Sequence, residues 1–177
     1  MSAPLIVTLE ADPASQARFA AARTRWFPAA RNVVPAHVTL FHQLPGLDAP
    51  EAALRLHEIA RETAPLPFAV AGIMPLGRGC AYRLELPGGT ALRDRVGRGI
   101  DRKPQDRGRL RAHVTIQNKV ARDVAAVTLQ AVQAGFVPWD GRIDALRLWR
   151  YQGGPWEAAG RFALAGATAA GSGSPGP

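Results

Sequence analysis

Cysteine, lysine and long apolar runs are all scarce in this chain of 177 residues. The one cysteine, Cys80, has no partner for an internal disulfide and leaves no thiol set for a structural zinc site, so a small buried thiol is its expected role. No stretch reaches the ~18 consecutive apolar residues of a membrane span. The opening "MSAPLIVTLEAD" lacks the basic start and long apolar segment of a signal peptide. These absences lead us to expect a soluble, cytoplasmic protein with no membrane partner. Lys103 and Lys119 are the only lysines, so arginine carries almost all of the positive charge behind the formal net +8. The planar guanidinium fork matches phosphate oxygens, and this bias points to phosphorylated or nucleic-acid partners.

A chain of this length fits one domain, or two small lobes made by duplication. "PLIVTLE" reads as a strand, and "PASQARFAAARTRWF" as a helix started by Asp12 as cap and Pro13 in the first turn. "AHVTLFHQL" is β-branched and closes on Pro45-Gly46, which reads as strand and turn. "PEAALRLHEIARETA" is an amphipathic helix with Ala53, Leu56, Ile59 and Ala60 at helical spacing, and "LPFAVAGIMPLG" is a third strand. From residue 79 the order returns: strand "CAYRLELP", helix "GGTALRDRVGRGI", strand "AHVTIQNKV", helix "ARDVAAVTLQAVQAG", strand "GRIDALRLWRYQ". His37 and His113 lie 113 − 37 = 76 positions apart, and the same offset carries Leu9 onto Glu85 and Phe68 onto Asp144, each within the matching element.

This repeat implies two strand-helix-strand-helix-strand lobes related by a pseudo-two-fold axis. Lobe 1 is expected over about residues 1–77 and lobe 2 over about 78–166, giving a single bilobed domain across 1–166 with "WEAAGRFALAG" as a last strand. The end of the chain, "ATAAGSGSPGP", has no large apolar residue, so residues 167–177 are expected to form a disordered Gly/Ser/Pro tail.

Side chains alternate across a strand, which puts His37 and Thr39 on one face and Val38 and Leu40 on the other. His113 and Thr115 share a face in the same way, backed by Val114 and Ile116. A single histidine on a strand is more often a hydrogen-bonded structural residue than a catalyst. Core packing gives no reason to keep the same polar pair on the same face twice, and the repetition reverses that expectation. With the lobes facing one another, the site holds two imidazoles and two hydroxyls. In-line chemistry at a phosphodiester needs one group to take a proton from the attacking oxygen and another to protonate the leaving oxygen, and two imidazoles supply both. Threonine hydroxyls can donate to the non-bridging oxygens. No metal or other cofactor is then required, and neither histidine stretch carries the carboxylates of a two-metal site.

"HVTL" at 37–40 and "HVTI" at 113–116, in this order of elements, resemble the twin His-x-Thr-hydrophobic signatures of the 2H phosphoesterase superfamily. The resemblance is greatest to its branch of 2'-5' RNA ligases and RNA 2',3'-cyclic phosphodiesterases, and it covers about residues 4–165. It implies a bilobed α+β fold with mainly antiparallel sheets around a water-filled central cleft. It further implies metal-independent opening of a 2',3'-cyclic phosphate to a 2'-phosphate. His37 and His113 would be the acid-base pair, and Thr39 and Thr115 the phosphate ligands. The same groups serve 2'-5' joining. The pseudo-symmetry leaves open which histidine is the base. Many RNA-active relatives continue the first motif with phenylalanine, leucine and glycine, where this chain has Phe41-His42-Gln43. The substrate is therefore either an RNA end or a small cyclic nucleotide such as an ADP-ribose cyclic phosphate. A non-catalytic RNA-binding protein is the remaining alternative, disfavoured because binding alone has no need of an acid-base pair. The protein is expected to be a monomer.

Strand parity adds Phe41 to the His37 face, where it can stack on a base, places Gln117 on the His113 face, and turns His42 away. Within "DRKPQDRGRLRAHV", Arg109 and Arg111 are the cations closest to the second motif and are candidate contacts to flanking phosphates. Tyr151, in "LWRYQGGPW", is a candidate stacking residue, whereas Trp149 and Trp156 are expected to pack in the core or a hairpin.

Overall fold

The Asp12 carboxylate accepts a hydrogen bond from the Ser15 backbone N–H at 2.9 Å, and Pro13 has no N–H to leave unsatisfied in that first turn. In the computed structural model, which describes residues 3–167, this cap starts α1 (Pro13–Trp26), between β1 (Leu5–Ala11) and β2 (Val38–Phe41). A reciprocal cap between Asp48 and Glu51 starts α2 (Ala49–Glu62), and β3 (Leu66–Pro75) completes the first half. The second half runs β4 (Cys80–Glu85), α3 (Gly89–Val96), β5 (His113–Gln117), α4 (Arg122–Ala134) and β6 (Trp139–Arg150), with β7 (Glu157–Ala163) after it. The expected order of elements holds throughout, and the offset carries the start of α1 onto the start of α3, 13 + 76 = 89. Residues 168–177 of the expected tail lie outside the described residues.

All strand pairings are antiparallel, in the order β1-β2-β5-β4-β3-β6-β7, and β1 also pairs with β6, so that six strands close into a ring. The ring obeys the repeat: β1·β2 is matched by β4·β5, and β1·β6 by β4·β3. The third strand of each half therefore leaves its own half and pairs with the first strand of the other. A division near residue 77 separates the repeats in sequence, yet the sheets β2-β1-β6 and β5-β4-β3 are each built from both repeats. A half of roughly 75 residues buries too little surface to be comfortable alone, and this exchange gives each half the partner it lacks.

The apolar strand faces pack with Phe19 of α1 and Leu56 of α2 in one core that includes Val7, Leu9, Val38, Leu40, Val114, Leu146 and Leu148. Cys80 is fully buried, as expected of a small core thiol. Among the described residues, no helix is long and apolar enough to cross a membrane.

Candidate active site

β2 and β5 meet at a single antiparallel bridge, Val38 with Val114, both buried. That register sets His37 opposite Thr115 and Thr39 opposite His113, on the face away from the valines, where directly opposed residues have Cβ atoms about 5 Å apart. Each imidazole thus lies across from the hydroxyl of the other copy. All four residues are half-buried. His37 Nδ1 is 2.7 Å from the Pro35 carbonyl oxygen, and His113 Nδ1 is 2.8 Å from that of Arg111. A carbonyl oxygen only accepts, so Nδ1 carries the hydrogen in both rings and Nε2 is left for chemistry.

His37 opens on a cavity of about 690 Å³ that Arg23, Thr115, Asn118 and Trp156 also line. Arg23 is buried, and its guanidinium donates to Asn32 Oδ1 at 3.0 Å, to the Thr115 carbonyl at 3.1 Å and to the Val34 carbonyl at 3.3 Å. It ties β5 to the segment leading into β2. The Trp156 ring lies 4.9 Å from the His37 ring and 6.0 Å from that of Trp149, whose Nε1 donates to Thr8 Oγ1 at 2.9 Å. Burial pushes His37 down to about 4, the bond to Pro35 resisting and the charges of Arg23, His113 and His42 adding to the fall. Its imidazole is therefore neutral at pH 7.

The structure brings His37, Thr39, His113 and Thr115 together and departs from strand parity just beyond them. Thr39 pairs with Thr8 but Phe41 pairs with Val7, which leaves Leu40 as an extra residue in β2. Thr115 pairs with Ala81 but Gln117 with Cys80, which leaves Ile116 extra in β5. These are matching β-bulges, and each turns the residue after it to the opposite face. Phe41 is consequently fully buried in the core rather than placed to stack on a base. Gln117 is likewise buried, its amide donating to the Trp26 carbonyl at 3.2 Å and to Thr128 Oγ1 at 2.9 Å. Gly79 allows the second bulge its position, since a Cβ there would meet the Gln117 carbonyl oxygen at 1.8 Å.

Arg109 is exposed but lines a different cavity, bounded by Leu84, Leu86, Thr90 and Ala112. Arg111 is exposed and contributes its carbonyl to His113. Tyr151 is 42% exposed at the end of β6, its backbone N–H bonded to the Pro4 carbonyl, and it does not line the His37 cavity. Trp149 is buried as expected, whereas Trp156 covers His37. Sequence reasoning missed Arg23, Asn118 and Trp156. Arg23 follows Phe19 by one helical turn on the buried face of α1, and an arginine on that face was the available signal.

A family model described as the 2'-5' RNA ligase superfamily matches residues 11–155. No curated protein matches the chain. Among solved structures, TT0787 of Thermus thermophilus is 21% identical, with 92% of this chain and 98% of that chain covered at a TM-score of 0.63. E. coli LigT complexed with NADP+ is 14% identical over 93% of this chain and 99% of that one, TM-score 0.55. The same E. coli protein complexed with 3'-AMP is 17% identical over 93% and 99%, TM-score 0.53. These likenesses establish a shared fold.

Proposed function

The chain belongs to the 2'-5' RNA ligase superfamily, and from that membership we propose that it opens a 2',3'-cyclic phosphate, on an RNA end or a small nucleotide, by paired-histidine acid-base catalysis. The observation that carries this reading is the crossed arrangement of His37 with Thr115 and His113 with Thr39, each imidazole held through Nδ1 and free at Nε2.

Neutral His37 takes a proton from the attacking water through Nε2. The water oxygen bonds to phosphorus as the bond from phosphorus to O3' breaks, and protonated His113 gives its Nε2 hydrogen to O3'. The product is a 2'-phosphate. Thr39 and Thr115 donate to the non-bridging oxygens as charge gathers there. A 5'-hydroxyl in place of water gives a 2'-5' linkage by the same transfers. The cavity beside His37, about 690 Å³, is of a size that takes a nucleotide. The E. coli neighbour has been crystallised with NADP+, 3'-AMP and ATP, which supports a nucleotide-sized ligand here.

The test is a screen of 2',3'-cyclic mononucleotides, cyclic-phosphate-ended oligonucleotides and ADP-ribose cyclic phosphate, with products identified by phosphorus NMR. Turnover to a 2'-phosphate is expected, unchanged by EDTA. His37→Ala and His113→Ala should each lower the rate by about 10²-fold or more. Full activity in either variant overturns the reading. A gain in rate with oligonucleotide length, lost as salt rises, marks RNA as the substrate.

A further inference from the structure

The 76-residue offset carries His42 onto Asn118, 42 + 76 = 118, so the two halves present different residues at one equivalent place. Both residues follow a bulge. Leu40 and Phe41 are buried in succession, as are Ile116 and Gln117, and the next residue emerges on the face of the catalytic histidine. In the second half this is seen directly, because Asn118 lines the cavity with His37 and Thr115. The same two-fold relation puts His42 beside His113 and Thr39. Its side chain is 51% exposed, and its charge acts on His37. The parity of a regular strand, which turns His42 away, is reversed by the bulge.

His42 is held in place by a buried acid. Its Nδ1 donates to Asp106 Oδ1 at 2.7 Å, and the same carboxylate, only 1% exposed, accepts the backbone N–H groups of His42 and Gln43 at 3.0 and 3.2 Å. A carboxylate so buried needs all of these donors, which fixes the ring as firmly as the carbonyls fix His37 and His113. Nε2 is left free. Asn118 is held differently, its Oδ1 accepting from the Lys119 N–H at 2.7 Å while its amide nitrogen remains a neutral donor.

Resting on the cyclic-phosphate reading above, we propose that His42 is a substrate-binding residue that breaks the symmetry of the cleft and fixes which ribose oxygen leaves the phosphorus, with Asp106 as its positioning residue. The two imidazoles and two hydroxyls present the same groups to a phosphate lying either way round. A 2',3'-cyclic phosphate has two leaving oxygens of nearly equal chemistry, and a difference beside His113, where the ribose leaves, selects between them. His42 Nε2 accepts from a hydroxyl when neutral and donates to a phosphate oxygen with a positive charge when protonated, whereas the Asn118 amide can donate only as a neutral group.

The deciding experiment compares wild type, His42→Asn and Asp106→Asn with 2',3'-cyclic AMP, resolving the product isomers by phosphorus NMR, and measures 2'-AMP binding to each by calorimetry. Thermal melts identify the variants that remain folded. His42→Asn makes the two positions alike, so wild type should give one isomer and the variant both 2'- and 3'-phosphate. KM should rise about fivefold, the effect of one lost hydrogen bond, and 2'-AMP binding should weaken to match. Asp106→Asn should shift the isomer ratio the same way. A folded His42→Asn protein that yields a single isomer with unchanged KM and 2'-AMP affinity overturns the proposal. Should wild type leave every cyclic phosphate intact, the catalytic reading fails while 2'-AMP still decides this one. Weaker binding in His42→Asn upholds the contact, and equal binding, or none by wild type, ends it.

Discussion

His37 and His113 occupy the same frame in different surroundings. Both strands carry the same tetrapeptide pattern, the same bulge after the threonine and the same carbonyl bond at Nδ1. His37, however, lies under Trp156 and beside the buried Arg23, and is pushed down to about 4. His113 lies in register with the exposed Arg83 of β4 and next to the arginine-rich loop. Duplication supplies two like imidazoles, and their neighbours give them unlike surroundings.

The comparison is broken most severely by removing an imidazole. His37→Ala and His113→Ala should each cost about 10²- to 10⁴-fold in kcat, and the double variant should be little worse than the poorer single one, because the pair acts as a unit. Single-turnover rates check this, and multiplicative losses would show two independent sites. Thr39→Ala and Thr115→Ala should each cost about 10²-fold in kcat, as expected of a hydrogen-bond donor to the charge that develops on phosphate.

The pH profile tests the difference between the halves. The base must be unprotonated, and burial lowers its pKa, so the acid limb of kcat/KM should fall near pH 4 rather than at the ordinary histidine value of about 6.5. Trp156→Ala lets water reach the ring, raises that pKa and should move the limb upward. A limb that stays put in Trp156→Ala would mean that another group titrates there. The smallest expected effect lies beneath the site. Gln117→Ala should cost about 1–3 kcal/mol in urea unfolding, through lost buried hydrogen bonds, and leave KM unchanged.

The elements, the repeat and the four central residues were all legible in the sequence, because each depends on local pattern or on one constant offset. Phe41 and Gln117 were misplaced for one reason. A bulge is a relation between a strand and its neighbour, and nothing within "HVTLF" or "HVTIQ" announces the extra residue. Arg23 was hidden in a similar way, since its carbonyl partner on Thr115 is 92 positions away. Trp156 was read as core or hairpin packing because "GGPW" signals a turn without saying what the turn covers. The exchange of third strands was also out of reach, since helix and strand periodicities fix elements and not their partners.

The closed ring of strands has a consequence for how the chain comes to be folded. β1 ends at residue 11 and its second neighbour, β6, begins at 139, so 139 − 11 = 128 positions separate them. At a ribosome the first strand emerges long before this partner exists, and its edge stays bare while both histidine strands are being made. Ring closure is then a late, long-range step, of the kind that makes folding slow for a chain of given stability. The crossed His-Thr pairs meet through one bridge between β2 and β5, and the ring that braces this bridge is complete only once β6 has arrived.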